Sequence, residues 1–291
     1  MNLPLFGAQA SGLFADHGLD VELVGPARRA PAPAGRHASA GGEPAPPDFA
    51  VTAVQSAVGA RVRRPHDRHP RFVAVVHQRS PLAAFVPVDS PLRWPSDLAG
   101  ARVAASTAPW FDLEYRAALE ALGLDPPVVV PARADGRRLS LADGEVEVIG
   151  SWDEAISVLR RRAGVPVRSI PFGPQVYTTG VVAQDHVSGD VVARMVEALR
   201  HAFEQQRANP ELGLDDLCNR YKGVDRAGAL EEWAVLDDYV FGTGQPLTMT
   251  DDQWEATVAH AARTYGLTPV AVGELCREEL VGATSLGIDD L

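Results

Sequence analysis

Lysine is almost missing from this chain: of its 27 basic residues only Lys222 is a lysine, so chemistry that needs a lysine amine has a single candidate. Cysteine is equally scarce. Cys218 and Cys276 stand alone, with no CxxC and no Cys/His spacing suited to zinc, which leaves structural thiols as the expectation and excludes a disulfide scaffold. No apolar run approaches the length of a bilayer crossing, which excludes a helical membrane span. Positive charge is in deficit, with Lys+Arg 27 against Asp+Glu 38 and a net charge of −11. A surface of that sign repels phosphate backbones and anionic lipid, so nucleic acid is not an expected partner. The first residues, Met1-Asn-Leu-Pro-Leu-Phe-Gly7, have no charged segment followed by a long apolar one, and no lipobox cysteine follows. P-loop, GxSxG, SxxK, HExxH and helix-opening GxGxxG patterns are absent as well.

What is present is ordinary globular material. The 291 residues are 46% hydrophobic and 22% charged, enough for one large or two medium domains with a well-buried core. Ser11 to Val24 reads as the end of an amphipathic helix, a break at Gly18 and the alternating strand Leu19-Asp-Val-Glu-Leu-Val24. Residues 26–47 are rich in Ala, Pro and Gly without period, which predicts a flexible loop. Phe49-Ala-Val and Phe72-Val-Ala-Val-Val76 are short apolar strands, and the basic stretch from Arg61 to Arg71 between them is expected at the surface. An apolar segment from Ala83 leads to Trp94-Pro-Ser-Asp-Leu-Ala-Gly100, a short helical turn capped by Ser96 or Asp97 and ended by Gly100.

Beyond Gly100, strands at Ala101 to Ala105, Pro127 to Pro131, Val146 to Ile149 and Val165 to Ile170 alternate with helices from Ser106 to about Leu122 and from Trp152 to Ala163. Such alternation predicts βαβ units and parallel sheets. After Val176-Tyr-Thr-Thr-Gly-Val-Val-Ala183 the pattern is helical, over Gly189 to Arg207, Glu211 to Tyr221, Asp225 to Tyr239, Thr250 to Tyr265 and Val270 to Val281. The C-terminal third is therefore expected to be mostly helix.

Several of these segments, in this order, resemble the SsuA/THI5-like (NMT1-like) group of type II periplasmic substrate-binding proteins of ABC transporters. Ala8-Gln-Ala-Ser-Gly-Leu-Phe-Ala-Asp-His-Gly-Leu-Asp-Val-Glu-Leu-Val24 is similar to the group's first helix and second strand. Residues 72–82 with Asp97-Leu-Ala-Gly-Ala-Arg-Val103 are similar to the passage from one lobe to the other, and Ala142 to Glu147 with Trp152-Asp-Glu-Ala155 to a segment that supplies a ligand-facing side chain. Val191 to Pro210 is similar to the return helix. The resemblance implies an α/β, type II periplasmic-binding-protein fold, two α/β lobes around a ligand cleft with a helical C-terminal third. Lobe 1 would be residues 1–84 plus 177–291, carrying the Ala/Pro loop, and lobe 2 residues 85–176. It further implies a solute-binding protein of an importer, taking a small organic ligand of anionic, sulfonate-like or pyrimidine-like kind, without cofactor or metal, monomeric, with an ABC permease as partner.

The group's first strand would precede Leu5, and its helix before Asp48-Phe-Ala50 is replaced by the Ala/Pro loop. Location follows the start: cytoplasmic as the chain stands, extracytoplasmic if a signal precedes Met1. Two other roles use the same fold, a chorismate dehydratase-like lyase in the cytoplasm and an intracellular ligand sensor. Pyridoxal-phosphate-dependent pyrimidine synthases are excluded, because the sole lysine, Lys222, lies between two C-terminal helices and the cysteine-rich motif of that group is absent.

Open α/β sheets hold ligands beyond the carboxyl ends of their strands, which independently selects the same residues. Ser106 and Thr107 follow a strand and open a helix, so their hydroxyls and the free N–H groups of the first turn can hold an anionic or polar group; a plain N-cap is the competing reading. Asp48 and Thr52 flank the Phe49 strand and Gln78 follows the Phe72 strand, so each can face the cleft. Trp152 can stack on a ligand ring or pack as core on the sheet, and Tyr177 at the return crossover can touch ligand or pack the hinge. His66-Asp-Arg-His69 is half a metal site among arginines and reads as a solvated loop.

Overall fold

The computed structural model describes residues 3–24, 46–104, 109–131, 141–242, 244–277 and 280. The expectations for the Ala/Pro loop at 26–47, all but its last two residues, and for Ser106 and Thr107 lie outside the described residues.

Helices α1 (Leu3–Ser11) and α2 (Leu13–Asp16) precede strand β1 (Phe49–Ala53), helix α3 (Val54–Arg63) and strand β2 (Arg71–Val75). The chain then crosses to β3 (Leu82–Pro87), β4 (Arg102–Ala104), α4 (Pro109–Ala121), β5 (Val128–Val130), β6 (Ile149–Trp152), α5 (Ile156–Arg162) and β7 (Val167–Pro171). It returns through β8 (Thr179–Ala183) to α6 (Gly189–Ala208), α7 (Leu214–Arg220), α8 (Arg226–Phe241), α9 (Asp251–Tyr265) and α10 (Val272–Leu275).

The sheets are β1-β8-β2, β6-β3-β7 and the pair β4-β5. Among the named strands of the described residues only β4 and β5 pair in parallel; β8 is antiparallel to both β1 and β2, and β3 is antiparallel to both β6 and β7. The expectation of parallel sheets is corrected accordingly. The unit β1–α3–β2 does bring two like-directed strands to one sheet, but the returning β8 inserts between them. Because β8 enters at the end where β1 and β2 finish, it runs against both.

Strand β3 explains the second half. Its residues are almost fully buried, and alternate side chains leave on opposite faces. Leu82, Ala84 and Val86 pack with Phe111, Tyr115 and Leu119 of α4, whereas Ala83 and Phe85 pack with Ile156 of α5 and Val167 of β7. A six-residue apolar run thus serves two hydrophobic layers, and each fully buried Leu or Phe contributes about 2 kcal/mol. The first half has its own larger core, in which Phe72 to Val76 and Val181 to Ala183 meet α6, α8 and α9 through Val196, Leu199, Trp233, Leu236 and Trp254. Local signals start the long helices: Ser188 caps α6 by accepting from Val191 N–H, and Asp225 caps α8 by accepting from Gly228 N–H at 2.6 Å.

Three expectations change. Residues 19–24 form no strand among the described residues, although the alternation holds: Leu19, Val21 and Leu23 pack on the first core while Asp20, Glu22 and Val24 are exposed. Helix α3, unmarked in the sequence reading, occupies Val54–Arg63 and packs Val54 and Val58 inward. The last expected helix is reduced to Val272–Leu275, because Phe72 bridges Cys276 and Arg277 N–H donates to the Phe72 carbonyl, which extends the sheet edge instead. Asp97 works as expected of a cap, from the third position of its turn, accepting from Arg93 and Trp94 N–H at 2.7 and 2.9 Å.

Candidate functional site

Two crossovers join the halves, residues 76–81 between β2 and β3 and residues 172–178 between β7 and β8. They run side by side. Val76 and His77 N–H both donate to the Thr179 carbonyl, Ser80 N–H donates to Pro174 and Gly173 N–H to Leu82, at 2.8, 3.1, 3.0 and 3.1 Å. Gly173 is required there, since a Cβ on it would stand 2.3 Å from the Ser80 carbonyl oxygen. The carboxyl ends of β1 and β6 meet the same junction: Val54 N–H donates to Thr178, and Asp153 N–H donates to Pro81, at 2.9 and 2.7 Å.

Helices α8 and α9 clasp this junction from the first half. Gln78 N–H donates to the Tyr239 carbonyl of α8 at 2.8 Å, and Gln253 of α9 donates its side-chain amide to the Gln78 carbonyl. Both helices also reach the second half. Tyr239 Oη donates to Asp153 Oδ2 at 2.7 Å, and Glu114 of α4 accepts from His260 at 2.8 Å and from the Tyr265 hydroxyl of α9.

The junction concentrates buried polar atoms without partners. Among the described residues these include His77 Nε2, Asp153 Oδ1, Glu154 Oε2 and Tyr115 Oη. His77 is 1% exposed; its Nδ1 is 3.2 Å from Thr178 Oγ1, and burial drives its pKa down to about 3, so it is neutral at neutral pH. Glu154 is shifted the other way. Burial pushes its carboxyl up to about 7, and the neighbouring charges of Asp153 and Glu232 add to the rise. The Tyr239 hydroxyl is raised by burial and by Asp153, and the Arg79 guanidinium lies 4.4 Å above its ring. An imidazole that stays neutral and a carboxyl poised near neutrality can accept, donate or hold a proton where water is excluded.

Of the residues singled out from sequence, Thr52, Gln78, Trp152 and Tyr177 come together at this end of the sheets. Thr52 is partly buried in β1 opposite Gly180. Gln78 is buried, its amide donating to the Val75 and Thr248 carbonyls at 3.0 and 3.1 Å. Trp152 is half-buried at the end of β6, edge-on to Phe111 at 5.5 Å. Tyr177 is buried edge-on to Trp254 at 5.1 Å, and its hydroxyl accepts from Thr250 N–H at 3.1 Å. Asp48 stands apart, at the opposite end of β1, exposed and 2.8 Å from His186. His77, Asp153, Glu154 and Tyr239 were not selected. Asp153 and Glu154 directly follow Trp152 at a strand-to-helix turn, a usable signal, whereas nothing local marks Tyr239.

Comparison with known proteins follows this geometry. Residues 2–212 match the family model described as NMT1/THI5 like. No curated protein matches in sequence. Among solved structures, the periplasmic aliphatic sulphonate binding protein SsuA from Escherichia coli superposes with a TM-score of 0.58 at 17% identity, over 82% of this chain and 77% of that one. The desulfurization enzyme DSZB gives 0.56 at 17% identity, over 95% and 94%. The Candida albicans CA3427 gene product, described as having the generic periplasmic binding protein structural fold, gives 0.53 at 13% identity, over 98% and 94%. The chain has the periplasmic-binding-protein fold.

Proposed function

The chain belongs to the NMT1/THI5-like family, and from that premise we propose that it is a solute-binding protein that takes a small polar organic molecule at the junction of its two halves. Lobe 1 comprises residues 1–84 and 177–291 and lobe 2 residues 85–176. Thr52, Gln78, Trp152 and Tyr177 lie around the ligand together with His77, Asp153 and Glu154. The protein acts as a monomeric receptor for an ABC-type importer and delivers its ligand to a permease. One observation carries this reading. Strand ends from two separately cored halves converge on paired crossovers, and the polar atoms buried there have partners missing. Unpaired buried groups are costly, and a ligand that pairs them recovers that cost.

The test is a thermal-shift screen of small organic solutes, including sulfonates, carboxylates, amines and aminopyrimidines, followed by titration calorimetry of the hits. A one-to-one complex with a raised melting temperature and a smaller radius of gyration in solution scattering is expected. Absence of any stabilising solute across all four classes would overturn the reading.

A second reading, catalysis on the same fold, draws on the likeness to DSZB over nearly the whole chain and on the proton poise of Glu154. Turnover of a hit compound, followed by mass spectrometry and abolished in Glu154→Gln, would favour it over transport.

A further inference from the structure

Two buried carboxylate oxygens without partners lie side by side in sequence where β6 ends. We infer that the ligand presents a nitrogen cation, an ammonium or amidinium group, to Asp153 and Glu154, with the His77 imidazole as a third contact. The inference rests on the junction being a solute site and names the class of solute.

Asp153 spends one oxygen on the Tyr239 hydroxyl at 2.7 Å, and its other oxygen is buried without a partner. Glu154 Oε2 is buried without a partner as well. A third carboxylate approaches from α8, Glu232, whose Oε1 accepts from Ser157 Oγ at 2.8 Å. Three neighbouring arginines are engaged elsewhere. Arg79 lies over the face of Tyr239 at 4.4 Å, Arg160 pairs with Glu231, and Arg161 pairs with Asp225 at 2.8 Å. The acidic group therefore lacks a paired countercharge among the described residues.

His77 supplies an independent observation. It belongs to the crossover rather than to the acidic group, is 1% exposed, and turns Nδ1 to Thr178, leaving Nε2 unpartnered. Its ring centre is 6.5 Å from that of Tyr239, the residue that carries Asp153. A neutral imidazole adds no positive charge to compete with a cation. When Nδ1–H donates to Thr178, Nε2 is a bare acceptor. The unpaired atoms then all seek N–H donors, which an ammonium or amidinium provides in number. An anionic headgroup at the same point would add a further like charge to three carboxyls in a low-dielectric site.

The experiment is calorimetry with two shape-matched pairs, benzamidine against benzoate and benzylamine against benzenesulfonate. The cationic member of each pair is expected to bind at least tenfold more tightly. Glu154→Gln and Asp153→Asn, both near-isosteric, are each expected to weaken benzamidine binding tenfold or more, with apo melting temperatures recorded so that whichever variant folds decides the result. Tighter binding of benzoate or benzenesulfonate, or unchanged benzamidine affinity in both variants, would overturn the cation assignment and leave solute binding intact. If none of the four probes binds and the wider solute screen is also silent, the functional reading itself falls.

Discussion

The two ends of the β1-β8-β2 sheet treat polar residues in opposite ways. At the end where β1 begins, Asp48 meets His186 at 2.8 Å and Arg71 meets Asp185 at 3.4 Å, with side chains between about a third and two thirds exposed. Both of these pairs are wet, and such pairs contribute little, although Arg277, whose guanidinium donates to the Gln184 and Val187 carbonyls at the same end, is buried. At the crossover end, His77 and Asp153 are buried and Glu154 is partly so, and each keeps a buried atom without a partner. The same residue types carry little free energy at one end and much at the other, because dielectric and desolvation set the magnitude of each interaction. Function is expected where the polar groups are expensive.

That contrast can be broken in steps of decreasing size. Gly173→Ala is expected to destabilise the protein by about 3 kcal/mol in urea unfolding, because its Cβ would stand 2.3 Å from the Ser80 carbonyl and force the crossovers apart. An effect under about 1 kcal/mol would mean that the crossovers are loosely held. Tyr239→Phe removes the donor that Asp153 depends on and is expected to cost about 2 kcal/mol, most of it recovered in the double variant with Asp153→Asn. Strict additivity of the two substitutions would show that the bond carries nothing.

The pH dependence of stability sharpens the comparison further. His77 refuses in the folded state a proton that it accepts near 6.5 when unfolded, so its contribution is complete above 6.5 and is lost as pH falls toward about 3. Glu154 keeps its proton up to about 7 when folded against 4.5 unfolded, so its contribution is complete below 4.5 and is lost as pH rises through 7. Glu154→Gln is therefore expected to flatten the alkaline side, gaining about 1–3 kcal/mol at pH 8 relative to the parent. An unchanged profile between pH 5 and 8 would place Glu154 in water. The smallest effect is expected at the exposed end, where His186→Ala should change stability by no more than about 0.5 kcal/mol. A larger loss there would erase the distinction between the two ends.

How much of this was legible beforehand depends on the range of the interaction concerned. The alternation of Leu19 to Val24 correctly ordered its buried and exposed residues, yet the strand it suggested has no ladder among the described residues, because pairing needs a neighbour that local pattern cannot supply. Helix α3 is unmarked for a related reason: Val54-Gln-Ser-Ala-Val-Gly-Ala-Arg-Val-Arg63 carries a weak apolar stripe and a glycine, and tertiary packing of Val54 and Val58 settles its state. Gln78, Trp152 and Tyr177 stand at strand ends that local pattern marks, whereas Asp153 and Glu154 differ from ordinary helix-start acids only through a burial that the sequence does not show. Tyr239 lies 86 residues from Asp153 and Gln253 lies 175 from Gln78, separations at which no spacing rule operates.

Composition and local pattern by themselves determined the strands and long helices of this protein, their caps at Ser188 and Asp225, the two-faced apolar run of β3 and the family to which the chain belongs. These are decided by period, propensity and hydrogen bonds reaching only a few residues. Tertiary structure alone decided that β8 and β3 run against their neighbours, that a histidine after β2 is held neutral, and that two adjacent carboxyls after β6 lie buried with oxygens unpaired. Burial and charge pairing depend on which distant segments meet, and here the meeting is made by helices α8 and α9 closing over the crossovers from the far end of the chain.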